Sequence, residues 1–173
     1  MAKRDAITAE YVRSILNYNP DTGIFTWRER DDVPKEWNRR WAGTIAGTPN
    51  DSNYLLISIN KQHHRAHRLA WLWMTGKWPD PECDHRDTVR ANNRWSNLRE
   101  ATRSQNAANT SIQRNNTSGF KGVYWNKIVK KWWAHITKDG RRHSLGYFDD
   151  IDEAVAVVTR ERLKHHGEYA RAG

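Results

Sequence analysis

The sequence predicts an α+β fold in two parts, and three observations carry that prediction. Two short apolar runs, Ile24 to Trp27 and Tyr54 to Asn60, read as strands set between helix-spaced segments. A polar run without apolar period, residues 107–118, divides the chain. Beyond it, three strand signals lead into an amphipathic segment, which reads as a three-stranded antiparallel sheet packed on one helix.

In chain order, residues 6–17 (AITAEYVRSILN) read as a short amphipathic helix. Thr8 is its candidate N-cap, and Tyr11, Val12, Ile15 and Leu16 fall at helical spacing. Residues 18–23 (YNPDTG) form a turn cluster, and Ile24 to Trp27 is a strand. Residues 28–52 read as polar and irregular, broken by Gly43, Gly47 and Pro49. Tyr54 to Asn60 (YLLISIN) is the best strand of this half, with a turn at Lys61-Gln62 into a partner strand. His67 to Thr75 (HRLAWLWMT) is compact and apolar and reads as helix, ended by Gly76 to Pro81. Asn97 to Thr102 reads as a strand returning from the loop 86–97, and Arg103 to Asn109 as a helix.

In the C-terminal module, Val123 to Asn126, Trp132 to Lys138 and Arg141 to Leu145 are the strand signals. Asp139-Gly140 is a two-residue hairpin turn. The helix follows as IDEAVAVVTRERLKHH, with Asp150 and Glu153 suited to a capping box and Gly167 as its stop. Ile151, Ala154, Val155 and Val158 form its apolar face. Domain limits are set at 1–109, with a linker at 110–118 and the module at 119–173.

Composition narrows the class of function. The 173-residue chain carries a net charge of +9 and a pI near 9.9, the electrostatic footprint of a nucleic-acid binder. One cysteine, Cys83, excludes a disulfide framework and a cysteine zinc site, and fits a reducing cytoplasm. No run of about 18 apolar residues suggests a membrane span, and residues 1–14 lack an apolar signal core. Ten Trp residues are many for this length and read mostly as core or interface anchors.

The densest chemistry lies in residues 84–106, DHRDTVRANNRWSNLREATRSQN. Asp84 and His85 open it, and Asn97 and Asn106 follow. An Asp beside a His on a strand sends the two side chains to opposite sides, so one can hold a metal while the other faces water. Asp, His and Asn supply a carboxylate, a proton acceptor and a second metal oxygen, which suffices to cut a phosphodiester. Arg90, Arg94 and Arg99 are candidate phosphate contacts, with a solvated basic loop as the other reading of Arg90. His63 and His67 have i,i+4 spacing near His64; a structural or phosphate-contacting His67-Arg68 pair is preferred over a metal pair.

These residues, HRLAW through DHRD to NNRWSNLREATRSQN, resemble the HNH endonucleases of phages and group I introns, members of the His-Me finger or ββα-metal nucleases. The likeness spans roughly residues 18–109 and is densest at 67–109. It implies a ββα-metal nuclease core at about 80–109 with a β-rich N-terminal extension. It makes His85 the general base and Asn97 the residue bracing the loop. Asp84 and Asn106 would hold one divalent cation, Mg²⁺ or Mn²⁺ given hard oxygen donors, without structural zinc.

The C-terminal module divides its charge. Residues 117–148 hold seven Lys/Arg against Asp139, a net +6, whereas residues 149–171 are net −2. The helix covers one sheet face, so the other is basic and aromatic, as a sheet reading a DNA groove should be. SGFKGVYW, WWAHI, LGYFDDIDEAV and HHGEYA resemble the ethylene-response-factor (AP-two) DNA-binding domain. By position the resemblance makes Tyr124, Asn126, His135, Thr137, Arg142 and Ser144 face contacts. Lys121, Lys127, Lys130 and Lys131 suit the DNA backbone. Ser144 stands where the plant pattern has Trp, so a sequence preference does not transfer.

The combined expectation is a metal-dependent endonuclease of double-stranded DNA. It would be a site-preferring nicking or homing-type enzyme, phage-encoded, monomeric and active in the cytoplasm of a bacterial host without membrane attachment. The alternatives are a catalytically inactive, sequence-specific DNA-binding regulator and an RNA-binding protein.

Overall fold

The computed structural model describes residues 7–110, 112 and 115–170. Its contacts divide the chain into two units, residues 1–100 and 101–173. The division falls earlier than the polar run at 110–118, because the helix over 103–109 makes its contacts in the second unit.

The first unit opens with α1 (Ala9–Ile15), and the Thr8 hydroxyl accepts the Tyr11 N–H as its cap. The helix stops two residues short of the sequence expectation. Leu16–Asn19 leaves it as β1, because its backbone pairs antiparallel with β2 (Ile24–Trp27). The stretch expected to be irregular contains a helix, α2 (Lys35–Trp41), and a short strand, β3 (Thr48–Pro49). No α2 residue is buried, so the helix lacks the apolar stripe that would have revealed it. Trp37 on α2 packs edge-on against Trp27, with the Arg30 guanidinium over its ring.

Strands β4 (Leu55–Ile59) and β5 (Gln62–Arg65) pair antiparallel, and β3 adds to the other edge of β4. Their hairpin turn is Asn60-Lys61, one residue before the expected pair, with both φ angles positive at 50° and 61° as a mirror-image turn requires. Helix α3 (Ala66–Thr75) closes at Gly76 and buries Ala66, His67, Leu69, Ala70 and Leu72. Val12, Leu16, Phe25, Ile57 and Leu69 form the centre of this unit's core. Each contributes about 1.5–3 kcal/mol by leaving water. β6 (Glu82–His85) and β7 (Leu98–Ala101) make a two-stranded sheet, joined by the loop 86–97, which ends in a 3-10 turn at Trp95–Asn97.

The second unit begins with α4 (Arg103–Asn109), which carries a full capping box: Thr102 accepts from the Gln105 N–H, and the Gln105 side chain accepts from the Thr102 N–H. The sheet β8 (Val123–Asn126), β9 (Lys131–Lys138) and β10 (Arg141–Phe148) is antiparallel with β9 central. Asp139 and Gly140 turn β9 into β10 at φ 49° and 75°. Helix α5 (Ile151–His166) packs on the sheet and buries Ala154 and Val158 against Val123, Ala134 and Ile136. The expected reciprocal box at its start is a single cap: Asp150 accepts the Asp152 N–H at 2.6 Å. The architecture is thus mixed α+β, with the three-stranded antiparallel sheet on one helix.

Gly23 joins the N-terminal hairpin to the polar loop. It sits at φ 75°, and a Cβ there would overlap the backbone of Asn93 and Arg94. Gly23→Ala is therefore expected to destabilise the protein by more than about 2 kcal/mol, from the strained φ together with the clash. Urea unfolding monitored by Trp fluorescence checks this; an unchanged midpoint would show that the loop does not need this close approach.

Candidate nuclease site

The loop 86–97 is polar, and its course is set by the side chain of Asn97. Its Oδ1 accepts the Asp87 N–H at 3.1 Å. Its Nδ2 donates to Asp87 Oδ1 at 2.9 Å and to the Asn92 carbonyl at 2.8 Å. The Arg86 N–H donates to the Asn97 carbonyl at 2.9 Å. Asp87 also accepts from Asn92 Nδ2 at 2.6 Å and from the Val89 N–H at 2.8 Å. Both ends of the loop are thereby tied to its middle. The N-terminal hairpin holds it from outside: Tyr18 Oη donates to the Asn93 carbonyl at 2.6 Å, and the Trp95 N–H donates to the Pro20 carbonyl at 2.9 Å.

Asp84 and His85 end β6, and both are 5% exposed. The expectation that alternation along the strand leaves one of them facing water is not met, since both are buried. Asp84 Oδ2 accepts Arg99 Nε at 3.0 Å. Nη2 of Arg99 lies 2.9 Å from the same oxygen but off the hydrogen-bond direction, so Nε carries the bond. Arg99 is itself 6% exposed; its guanidinium serves Asp84 rather than a surface phosphate. Removing one partner of such a pair leaves an uncompensated buried charge, at a cost of about 3–5 kcal/mol.

His85 Nε2 lies 3.1 Å from Asn93 Oδ1. With that oxygen as acceptor, Nε2 carries the proton and Nδ1 keeps the lone pair. Burial pushes the imidazole below its ordinary range against the opposing pull of Asn93, so it rests neutral, as a base must. His67 meets it edge-on, ring centres 4.8 Å apart. Tyr54 lies beside both, with the Arg65 and Arg90 guanidinium groups 4.5 and 4.9 Å from its ring centre.

Sequence reasoning missed Asn93, Asp87, Tyr54 and Arg65. The NN pair at 92–93 was the one available signal, and it does not say which Asn faces inward. His63 and His67 do not share a helix: His63 lies exposed on β5 and His67 is buried in α3. Among the described residues no three His, Cys, Asp or Glu side chains are grouped to hold a metal ion. Arg90 and Arg94 are exposed, and Arg90 Nη1 donates to the Ser52 carbonyl at 3.2 Å. Asn106 lies half-buried on α4 in the second unit, its N–H donating to the Thr102 carbonyl at 2.9 Å.

On the outer face of the C-terminal sheet, Tyr124, Thr137, Arg142 and Ser144 are exposed. Ser144 Oγ accepts Trp133 Nε1 at 2.9 Å, which places an unexpected Trp on this face. His135 is 6% exposed, edge-on to Trp133 and Tyr124. Asn126 Oδ1 is used inside the β8–β9 turn. Lys127 and Lys130 are exposed; Lys131 is bonded to Asp149 at 2.9 Å, and Lys121 Nζ donates to the Ala108 carbonyl at 3.4 Å. No helix among the described residues is long and apolar enough to cross a membrane.

A family model described as HNH endonuclease matches residues 64–108. "Protein 3.8" of Escherichia phage T7 is 34% identical over 115 residues, which cover 64% of this chain and 94% of that relative. No solved structure matches the chain.

The buried histidines make stability depend on pH. Burial takes His67 from 6.5 down to about 3, so below about pH 6.5 the unfolded chain binds a proton that the folded protein refuses. Stability is full above that range and is lost progressively as pH falls through it. At about pH 5 the loss from this one group is about 2 kcal/mol. Denaturant unfolding at both ends of the window measures it. His67→Gln should flatten the dependence; an equally steep profile in that variant would assign it to other groups.

Proposed function

Since the chain belongs to the family of phage "Protein 3.8" and carries an HNH endonuclease domain at residues 64–108, we propose that it cuts double-stranded DNA with His85 as general base. The observation that carries this reading is a buried, neutral imidazole whose Nε2 is tied to Asn93, beside the carboxylate of Asp84, on a loop braced by Asn97. A neutral imidazole held in place this way can take a proton from the attacking water. Arg90 and Arg94, exposed on the same loop, suit the phosphates beside the cut.

The donor chemistry fits a hard divalent cation. By residue type, Asp84 brings a carboxylate and Asn106 a carboxamide oxygen, both hard donors. Mg²⁺ is commonly held by one or two protein oxygens, with water and substrate phosphate completing its shell. Asp84 and Asn106 would hold Mg²⁺ or Mn²⁺, which when bound supplies positive charge to the phosphate and the leaving 3′-oxygen. The products are 5′-phosphate and 3′-hydroxyl ends. One such site per chain makes a monomer a nicking enzyme, and a homing-type role in a phage-infected host cytoplasm fits the phage relative. The C-terminal module supplies site preference as an AP-two-like sheet, through Tyr124, Thr137, Arg142 and Ser144 on its outer face, with lysines on the backbone.

His85→Ala is expected to lower plasmid cleavage by about 10²–10⁴-fold while duplex binding in EDTA stays within a few-fold. EDTA should stop the wild-type protein, and excess Mg²⁺ should restore it. Wild-type cleavage by the purified variant, or full activity in EDTA, would overturn this scheme and favour a DNA-binding regulator that does not cut.

Arg142→Ala should relax preference at one or two base pairs, because a bidentate base contact is worth about 1–3 kcal/mol. Sequencing of cleavage ends from a randomised library reads this directly. An unchanged preference profile would assign sequence reading to the HNH domain.

A further inference from the structure

The tip of the β8–β9 hairpin is built from residues that a solvated turn does not favour. Turn positions draw on Gly, Pro, Asn, Asp and Ser, yet residues 127–130 read Lys-Ile-Val-Lys. Ile128 is 92% exposed and Val129 47%. Both are β-branched, of the type that strands rather than turns accommodate.

The tip is held in one shape. Asn126 Oδ1 accepts the N–H of Ile128 at 2.9 Å and of Val129 at 3.2 Å. Asn126 pairs with Lys131 across the ladder, which closes the turn. Lys131 is held by Asp149, whereas Lys127 and Lys130 stand exposed on either side of the apolar pair. Below the turn, Trp125 rests edge-on against Trp132 at 5.1 Å and stiffens the ends of the two strands. The result is a short, preorganised apolar point between two cations.

We propose that Ile128 and Val129 form a wedge that enters a base-pair step of duplex DNA and bends it, with Lys127 and Lys130 on the flanking phosphates. The proposal rests on the DNA reading above and extends it. Duplex DNA presents apolar base faces bounded by phosphates on both sides, which complements an apolar point bounded by ammonium groups. A second copy of this chain complements it poorly, since each copy carries a net +9.

The test uses the full-length protein in EDTA and a duplex of about 30 base pairs with a donor and an acceptor dye at its ends. Anisotropy reports binding, and energy transfer reports bending. Binding by the parent protein should raise transfer. The double variant Ile128→Ser/Val129→Ser should bind with similar affinity but without the rise, whereas Ile128→Leu should keep it. Lys127→Ala and Lys130→Ala should each reduce the salt slope of binding by about 1. Binding without a rise, or a rise intact in the double Ser variant, overturns the wedge and leaves the DNA reading standing. No binding by the parent overturns both. A change from dimer to monomer in the Ser variant, read by light scattering, would reassign the tip to self-association and overturn the proposal.

Discussion

The site depends on the amide of Asn97. The loop 86–97 is polar and has little apolar surface with which to offset the entropy of ordering, roughly 1–2 kcal/mol of backbone freedom per residue. Asn97, itself nearly buried, ties the start, middle and end of the loop with both polar atoms of one side chain. That closure brings Asn93 inward to reach His85. The N-terminal hairpin then clamps the loop through Tyr18, Pro20 and the tight approach of Gly23. If His85 is the general base proposed above, this scaffold sets its position, because a misplaced base loses most of its effect.

Electrostatics follow from the same burial. A neutral imidazole tolerates a dry position; a carboxylate does not, and Asp84 is balanced by Arg99 on the neighbouring strand. His67, edge-on to His85, is likewise kept neutral by burial. Positive charge is placed outside, on Arg65 and Arg90 over the Tyr54 ring, where it meets solvent.

In the C-terminal unit one side of the sheet packs on α5 and the other faces outward. Val123, Ala134 and Ile136 meet Ala154 and Val158 of α5. The outer face is stiffened by the Trp133–Ser144 bond and by the edge-on contacts of His135 with Trp133 and Tyr124. A rigid face loses less entropy on binding than a mobile one.

Features encoded by near neighbours were legible in the chain. The Thr8 cap, the Asp139-Gly140 hairpin and the apolar face of α5 each need only residues a few positions apart. The motif singled out the adjacent Asp84 and His85, and Asn97, as residues of one polar stretch. Tertiary structure decided the rest. Leu16–Asn19 became a strand because Ile24–Trp27 lay ready to pair with it, against the helical reading of residues 16–17 and the turn reading of 18–19. Helix α2, with no buried residue, left no periodic trace. Arg99 faces Asp84, and Asn93 faces His85, only once the strands pair and the loop closes. Sequence spacing specifies which groups can meet along one element. Which groups meet across elements depends on strand register and loop path, and those are settled by packing of the whole unit.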